Sequence, residues 1–434
     1  MASTSAALHA DQPASDVETR ALYRKIGWRL LPFLLLCYTF AYLDRVNIGF
    51  AKLQMQADVG ISDAVYGLGA GIFFLGYVMF EVPSNLLLVK IGARKTISRI
   101  MVLWGATSAS MLFVQGEYSF YALRFLLGIF EAGFAPGMIF YLTYWYTQKR
   151  MAGVMAVVMC AGPIGGMFGG PASAWIMTRF NGTHGLEGWQ WMFLIEGLPC
   201  IVLGAIAFFY MVDKPQDAKW LSAREKTLLE RDIGARSSGQ VKHAFRDVLK
   251  DRGVYALAAT YFCLICGIYA VSFWLPTLLQ ATGIKDTMQI GLYSAPPYVA
   301  AIIVMVLLAR SSDRMRERRW HVALPAIAGG ASLCLATAFP QHFVLSMIAI
   351  AVATALMWGA YTVFWAVPSQ YLKGEAAAGG IALINSIGLL GGFLSPSLIG
   401  WIKQSTGSLN AGLYFIAALL VVGAIPIILT KHAR

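Results

Sequence analysis

Pro32-Phe33-Leu34-Leu35-Leu36-Cys37-Tyr38-Thr39-Phe40-Ala41-Tyr42-Leu43-Asp44-Arg45 is an apolar run that ends by setting an acid beside a base. In lipid, each ionised residue at a helix centre costs about 2.5 to 3.5 kcal/mol, so such groups face a bundle interior or a water-filled path. The run therefore reads as a membrane-spanning helix over 28–50, with Asp44 and Arg45 turned inward as functional candidates.

The rest of the 434 residues follows suit. Hydrophobic residues make up 58%, charged residues only 13%, and mean hydropathy is +0.63, which excludes an ordinary soluble domain. Apolar run lengths predict an all-α membrane protein with twelve transmembrane helices, over 28–50, 64–89, 97–115, 119–146, 152–178, 191–212, 253–275, 288–309, 321–339, 343–371, 378–400 and 411–430. The polar stretch 213–252 parts them six and six. The expected organisation is an N-terminal tail (1–27), a six-helix bundle (28–212), a central loop (213–252), a second six-helix bundle (253–430) and a short tail (431–434). Within the loop, Leu221-Ser222-Ala223-Arg224-Glu225 reads either as the start of a capped amphipathic helix along the membrane surface or as solvated linker.

The net charge of +12 is a matter of topology rather than of nucleic-acid binding. Of the 34 Lys and Arg, Lys52, Arg179, Lys285 and Lys403 fall at one membrane face, Arg45 and Arg124 fall inside spans, and the others fall at the face that carries both termini. The positive-inside rule makes that face cytoplasmic. Asp11, Asp16 and Glu18 argue against a cleaved signal, which places the protein in the cell (inner) membrane. All six cysteines lie in spans, as small buried residues do. Cys263 and Cys266 share a helix face without a nearby histidine, so no metal site and no cofactor are expected.

Few ionisable residues fall inside the spans: Asp44 and Arg45, Glu81, Arg124 and Glu131, and Glu196. Arg124 and Glu131, seven residues apart, share a helix face, and Gly128 lies between them. That glycine either opens a groove or lets helices pack closely. An arginine fork is the preferred partner of a carboxylate. An organic anion competing with Asp44 or Glu131 for Arg45 or Arg124 would couple anion binding to protonation; static ion pairs holding helices together are the alternative. Glu81 and Glu196 read as structural.

Lys90-Ile91-Gly92-Ala93-Arg94-Lys95 and Asp313-Arg314-Met315-Arg316-Glu317-Arg318-Arg319 are basic loops at matching places in the two halves. At these residues the chain resembles the major facilitator superfamily, with Asn85, Val89 and Ala309 departing from its loop motif. Tyr42-Leu43-Asp44-Arg45-Val46-Asn47-Ile48-Gly49, Glu81-Val82-Pro83-Ser84-Asn85 and Arg124-Phe125-Leu126-Leu127-Gly128-Ile129-Phe130-Glu131-Ala132-Gly133 resemble its anion:cation symporter family, whose likeness covers the whole chain. The branch most similar contains tartrate, phthalate and hydroxyphenylacetate permeases. The resemblance implies two pseudo-symmetric six-helix bundles, alternating access and proton-driven uptake of an organic anion.

It also implies roles. Arg45 would bind the substrate carboxylate, Asp44 and Glu131 would carry protons, and Arg124 would pair within their network. Tyr42, Tyr77, Thr362, Trp365 and Asn385 stand where sugar-acid members hold substrate; packing accounts for the tyrosines and Trp365 equally well, and interhelical hydrogen bonding for Asn385. The glutamine those carriers place in span 5 has no counterpart near Gly162, which favours a tartrate-like hydroxy acid or an aromatic acid. The expected protein is a monomeric carrier whose partners are a small organic anion, protons and lipid. An anion exchanger on the same fold is the alternative. A membrane-embedded enzyme or sensor would need a catalytic constellation or an appended signalling domain, and the sequence offers neither.

Overall fold

The computed structural model describes residues 16–234, 249–339, 342–372 and 375–430. Residues 1–15, the Gly- and Ser-containing 235–248 of the central loop and the tail 431–434 lie outside the described residues. Among the described residues every element is a helix. Eleven segments are long and apolar enough to cross a membrane: span 1 (Asp16–Val59), span 2 (Asp63–Ile91), span 4 (Glu117–Thr143), span 5 (Gly153–Arg179), span 6 (Gly188–Tyr210), span 7 (Arg252–Ala281), span 8 (Thr287–Met315), span 9 (Arg319–Ala338), span 10 (Phe343–Pro368), span 11 (Gly379–Thr406) and span 12 (Asn410–Leu429).

Span 3 (Ala93–Ser110) completes the twelve. It carries Arg94, Lys95 and Arg99 near its start and Thr107 and Ser108 further on, so its composition falls short of a lipid-facing helix. Packing explains this. Gly105 lies against Gly197 and Cys200 of span 6, and Gly204 against Ser98 and Met101, so span 3 packs closely along span 6.

The first helix starts at Asp16 rather than at 28, so residues 16–27 are helix rather than polar tail. The reason is tertiary. Leu22, Tyr23 and Ile26 are buried, and the helix Ala223–Gly234 docks beside them. The Tyr23 hydroxyl donates to Asp232 at 2.7 Å, Lys25 pairs with Glu225 at 2.9 Å, and Arg224 pairs with Glu18 at 3.0 Å. Ser222 starts the docked helix with a reciprocal cap: the Glu225 N–H donates to Ser222 Oγ at 3.2 Å, and the Ser222 N–H donates to Glu225 at 2.8 Å. Of the two readings of 221–225, the helix holds.

The two six-helix halves meet along span 2 with span 11 and span 5 with span 8, and spans 1 and 7 also touch. A Cβ on Gly67 would overlap Pro396 O, and one on Gly400 would overlap Asp63 O, so spans 2 and 11 touch backbone to backbone. Both ends of the described chain lie at one end of the bundle. The opposite end, which carries the 1–2, 5–6, 7–8 and 11–12 connections, is termed the distal end below.

Span 4 is broken. Its first helix ends at Glu131, Gly133 adopts φ 84°, and a second helix resumes at Phe134. Discontinuous spans of this kind free backbone groups where a carrier binds its cargo. Gly128 faces Phe73 O of span 2 so closely that a Cβ would overlap it, which decides between groove and packing in favour of packing. Gly128→Ala therefore forces span 4 off span 2 at a cost of about 1–3 kcal/mol. The expected result is a lower melting temperature of the purified protein in detergent; an unchanged value would contradict this packing.

Candidate functional site

A helix turns neighbouring residues by about 100°, and span 1 uses this to send Asp44 and Arg45 to different partners. Arg45, 7% exposed, reaches span 4, where its Nη2 forms an ion pair with Glu131 Oε1. Its Nη1 donates to the Tyr269 hydroxyl of span 7 at 2.7 Å, so the guanidinium bridges the two halves. Rings of Phe73, Phe74 and Tyr77 surround it, with centroids at 5.2, 6.0 and 5.6 Å. Arg45 Nε and Glu131 Oε2 are buried without a hydrogen-bond partner among the described residues. Buried polar atoms are normally satisfied, and exceptions cluster where function needs them.

Asp44 turns instead toward span 3. Trp104 Nε1 and Ser108 Oγ, one helical turn apart on that span, both donate to it, and Asn47 Nδ2 adds a bond of 3.1 Å. All of its donors are neutral. The helix of span 1 runs on through Asn47, whose N–H donates to Leu43 O at 3.0 Å and whose carbonyl accepts from the Ala51 N–H at 2.9 Å.

Arg124 departs from expectation. It is fully buried, but its Nε and Nη2 donate to the backbone carbonyls of Gly69 and Ala70 at 3.2 and 3.3 Å, and it stacks over Phe73 at 5.2 Å. No carboxylate pairs with it among the described residues. The physical reason is reach: seven residues separate it from Glu131, about 10 Å along a helix. The four charged groups therefore form one ion pair, one neutral-donor site and one carbonyl-held arginine rather than a single paired network.

Among the other expected residues, Tyr42 shares a 2.9 Å hydrogen bond with Ser272 of span 7 and meets the Trp358 ring edge-on at 5.5 Å. Tyr77 is buried beside Arg45. The Thr362 hydroxyl donates to the carbonyl of Trp358 on its own helix at 2.9 Å. Trp365 packs against Tyr261 at 4.9 Å. Asn385 donates to Glu81 at 2.9 Å and accepts from Tyr261 at 3.4 Å. Glu81 thus ties span 2 to span 11 across the halves, and the interhelical reading of Asn385 is realised through it. Arg45, Tyr42 and Tyr77 gather near the centre. Trp365 and Asn385 lie toward the end carrying the termini, linked to the centre by the ring series Tyr42, Trp358, Tyr361, Tyr261.

Sequence reasoning missed Tyr269, Ser272, Tyr298 and Trp358. Tyr298 approaches Ser272 at 3.4 Å, and the Trp358 indole fills the space in front of Gly162, where a Cβ would come within 2.5 Å of it. The signal in span 7 was available: Tyr261, Tyr269 and Ser272 fall within a quarter turn of one another on a helix otherwise almost wholly apolar.

A second unforeseen cluster closes the distal end. Asp63 of span 2 accepts from Lys52 of span 1 at 2.8 Å and from Lys403 of span 11 at 3.0 Å. Lys52, expected in an outside connection, is 3% exposed; it donates to Thr277 of span 7 at 3.2 Å and lies 4.2 Å from the Trp274 ring centre. Four spans from both halves are thereby tied together.

Residues 34–396 match the family model of the Major Facilitator Superfamily. A candidate tartrate transporter of Agrobacterium vitis is 48% identical over 413 residues, covering 95% of this chain and 94% of the relative. The candidate metabolite transport protein NicT of Pseudomonas putida is 45% identical over 418 residues, covering 95% and 96%. In solved structures, a bacterial homologue of the human lysosomal transporter Spinster, inward-facing and occupied, superposes with a TM-score of 0.75 at 17% identity, covering 95% of this chain and 97% of that one. That likeness is one of fold alone.

Proposed function

The chain belongs to the Major Facilitator Superfamily and is a membrane transporter, and we propose that it imports a small organic carboxylate together with protons. The observation that carries this reading is the Arg45–Glu131 pair, buried at mid-bundle and tied to Tyr269 of the other half. A planar guanidinium binds a carboxylate with two parallel bonds. A substrate carboxylate and Glu131 thus compete for one fork, and protonation of Glu131 releases it to the substrate. Asp44, with neutral donors only, is the second proton carrier. Arg124 holds a fixed positive charge against the carbonyls of span 2.

The side chains around Arg45 support a substrate class. Hydroxyls of Tyr42, Tyr269, Ser272 and Tyr298 and the rings of Phe73, Tyr77 and Trp358 suit a tartrate-like hydroxy acid or an aromatic acid, and the relative named for tartrate supports the first. The protein works as a monomer in the cell membrane with both termini cytoplasmic, so the distal end faces outward. In the cycle, protons load Asp44 and Glu131 from outside, the anion takes Arg45, the halves rock, and proton loss inside restores the ion pair and expels the anion.

The test uses proteoliposomes. Asp44→Asn and Glu131→Gln are expected to lose at least tenfold of pH-gradient-driven uptake of labelled L-tartrate or 4-hydroxyphenylacetate while retaining exchange of labelled for unlabelled acid. Full proton-driven accumulation by both variants would refute the assignment. A thermal-shift screen with tartrate, phthalate, hydroxyphenylacetate and sugar acids selects the substrate, because a ligand that binds only the folded state raises its melting temperature.

A further inference from the structure

Glu196 takes no part in the cycle above, yet it is joined to it. Span 6 starts at the distal end with Gly188, and Glu196 lies about 12 Å along it. It is 4% exposed. Its Oε1 accepts from Ser173 Oγ of span 5 at 2.7 Å, and its Oε2 accepts from Asn47 Nδ2 at 3.0 Å. The same amide nitrogen donates to Asp44 Oδ1 at 3.1 Å. One amide thus spans two buried carboxylates from spans 1 and 6.

A second observation concerns the other end of that amide. Asn47 is 1% exposed, and its Oδ1 is buried without a hydrogen-bond donor among the described residues. An unsatisfied buried acceptor costs about 1–3 kcal/mol. The polar groups facing the pair are accounted for: Trp104 and Ser108 donate to Asp44, Ser173 donates to Glu196, and the Cys200 thiol donates to the Glu196 carbonyl. The charged neighbours are held elsewhere, Arg45 by Glu131 and Arg124 by carbonyls. The missing donor is supplied when a carboxyl carries a proton and the amide turns over, because its oxygen then stands where Nδ2 stands now, 3.1 Å from Asp44 Oδ1 and 3.0 Å from Glu196 Oε2.

We propose that Glu196 is the outer proton-loading residue, which takes a proton from the distal side and hands it to Asp44 across Asn47. The transfer breaks the O–H bond at Glu196 and forms one at Asp44, leaving a carboxylate at Glu196, so the buried charge does not change. Glu196 acts through Asp44 and does not touch substrate. This inference rests on the proton-coupled reading given above.

Its test is Glu196→Gln, which keeps the shape of the side chain and one acceptor oxygen for Ser173 or Asn47 but cannot carry the transferred proton. In proteoliposomes with labelled L-tartrate and 4-hydroxyphenylacetate, the variant is expected to slow pH-gradient-driven uptake about tenfold, to flatten the dependence of rate on outside pH and to keep counterflow within about twofold of wild type. Glu196→Asp is expected to restore part of the rate. Uptake and pH profile equal to wild type would overturn the inference and leave the coupling reading intact; equal loss of uptake and counterflow would overturn it in favour of a packing role. A wild type indifferent to the pH gradient would instead refute proton coupling itself.

Discussion

Arg45→Lys binds the transported acid at least tenfold more weakly than the wild type, a loss of about 1.4 kcal/mol or more. Charge is conserved, so Glu131 keeps a cation and span 4 keeps its partner. What is lost is geometry. The guanidinium reaches Glu131 with one nitrogen and Tyr269 with another while rings of Phe73, Phe74 and Tyr77 cover its faces. A compact ammonium has no planar fork and cannot give a carboxylate two parallel bonds. Charge-assisted bonds contribute about 1.5–3 kcal/mol each, so losing one accounts for the predicted change. Titration of the purified variants with the acid selected by thermal shift measures it, and equal affinity would remove Arg45 from the site.

Asp63→Asn opens the distal end. The wild-type carboxylate holds Lys52 and Lys403 from opposite halves, and Lys52 is almost wholly enclosed. Without it two ammonium groups face each other among Trp274, Tyr66 and Thr277. Breaking a buried pair by removing one partner costs about 3–5 kcal/mol. The Asp63 side chain is 20% exposed, so the lower figure applies. The cheapest relief is separation of spans 2 and 11, which moves the equilibrium toward the outward-open state by about a hundredfold. Ser397→Cys, placed where span 11 meets Gly67, reports the change as faster labelling by an impermeant maleimide, measured above the native cysteines. Removing the surplus charge with Lys403→Met should return labelling toward wild type, and unchanged labelling in Asp63→Asn would show that the cluster does not hold the end shut.

Much of this architecture was legible beforehand because lipid imposes strong local rules. A span must be apolar, helical and about as long as the bilayer is thick, so all twelve spans were readable from run length, span 3 included despite the basic residues at its start. Burial of a charge in such a segment is costly enough to single out Asp44, Arg45, Arg124 and Glu131 without any knowledge of their neighbours. Glu81 and Glu196 met the same criterion, but proximity to Pro83 and to the aromatic stretch Trp189–Phe193 made them look structural. Their hydrogen-bond partners Asn385 and Asn47 are uncharged residues on other spans, which no cost assessed along one helix could single out.

Sequence by itself determined the twelve-helix membrane fold, the division six and six and the set of charged residues that must look inward, since each follows from a cost assessed along one helix. Only the tertiary structure decided who holds whom. Arg45 meets Glu131, 86 positions away, and Tyr269, 224 away, while Arg124, on the same helix as Glu131, takes carbonyls instead. The physical reason is that lipid constrains each span separately, whereas hydrogen-bond partners depend on the rotation and register of one helix against another, set by glycines such as Gly128 and Gly67 at the places where backbones touch.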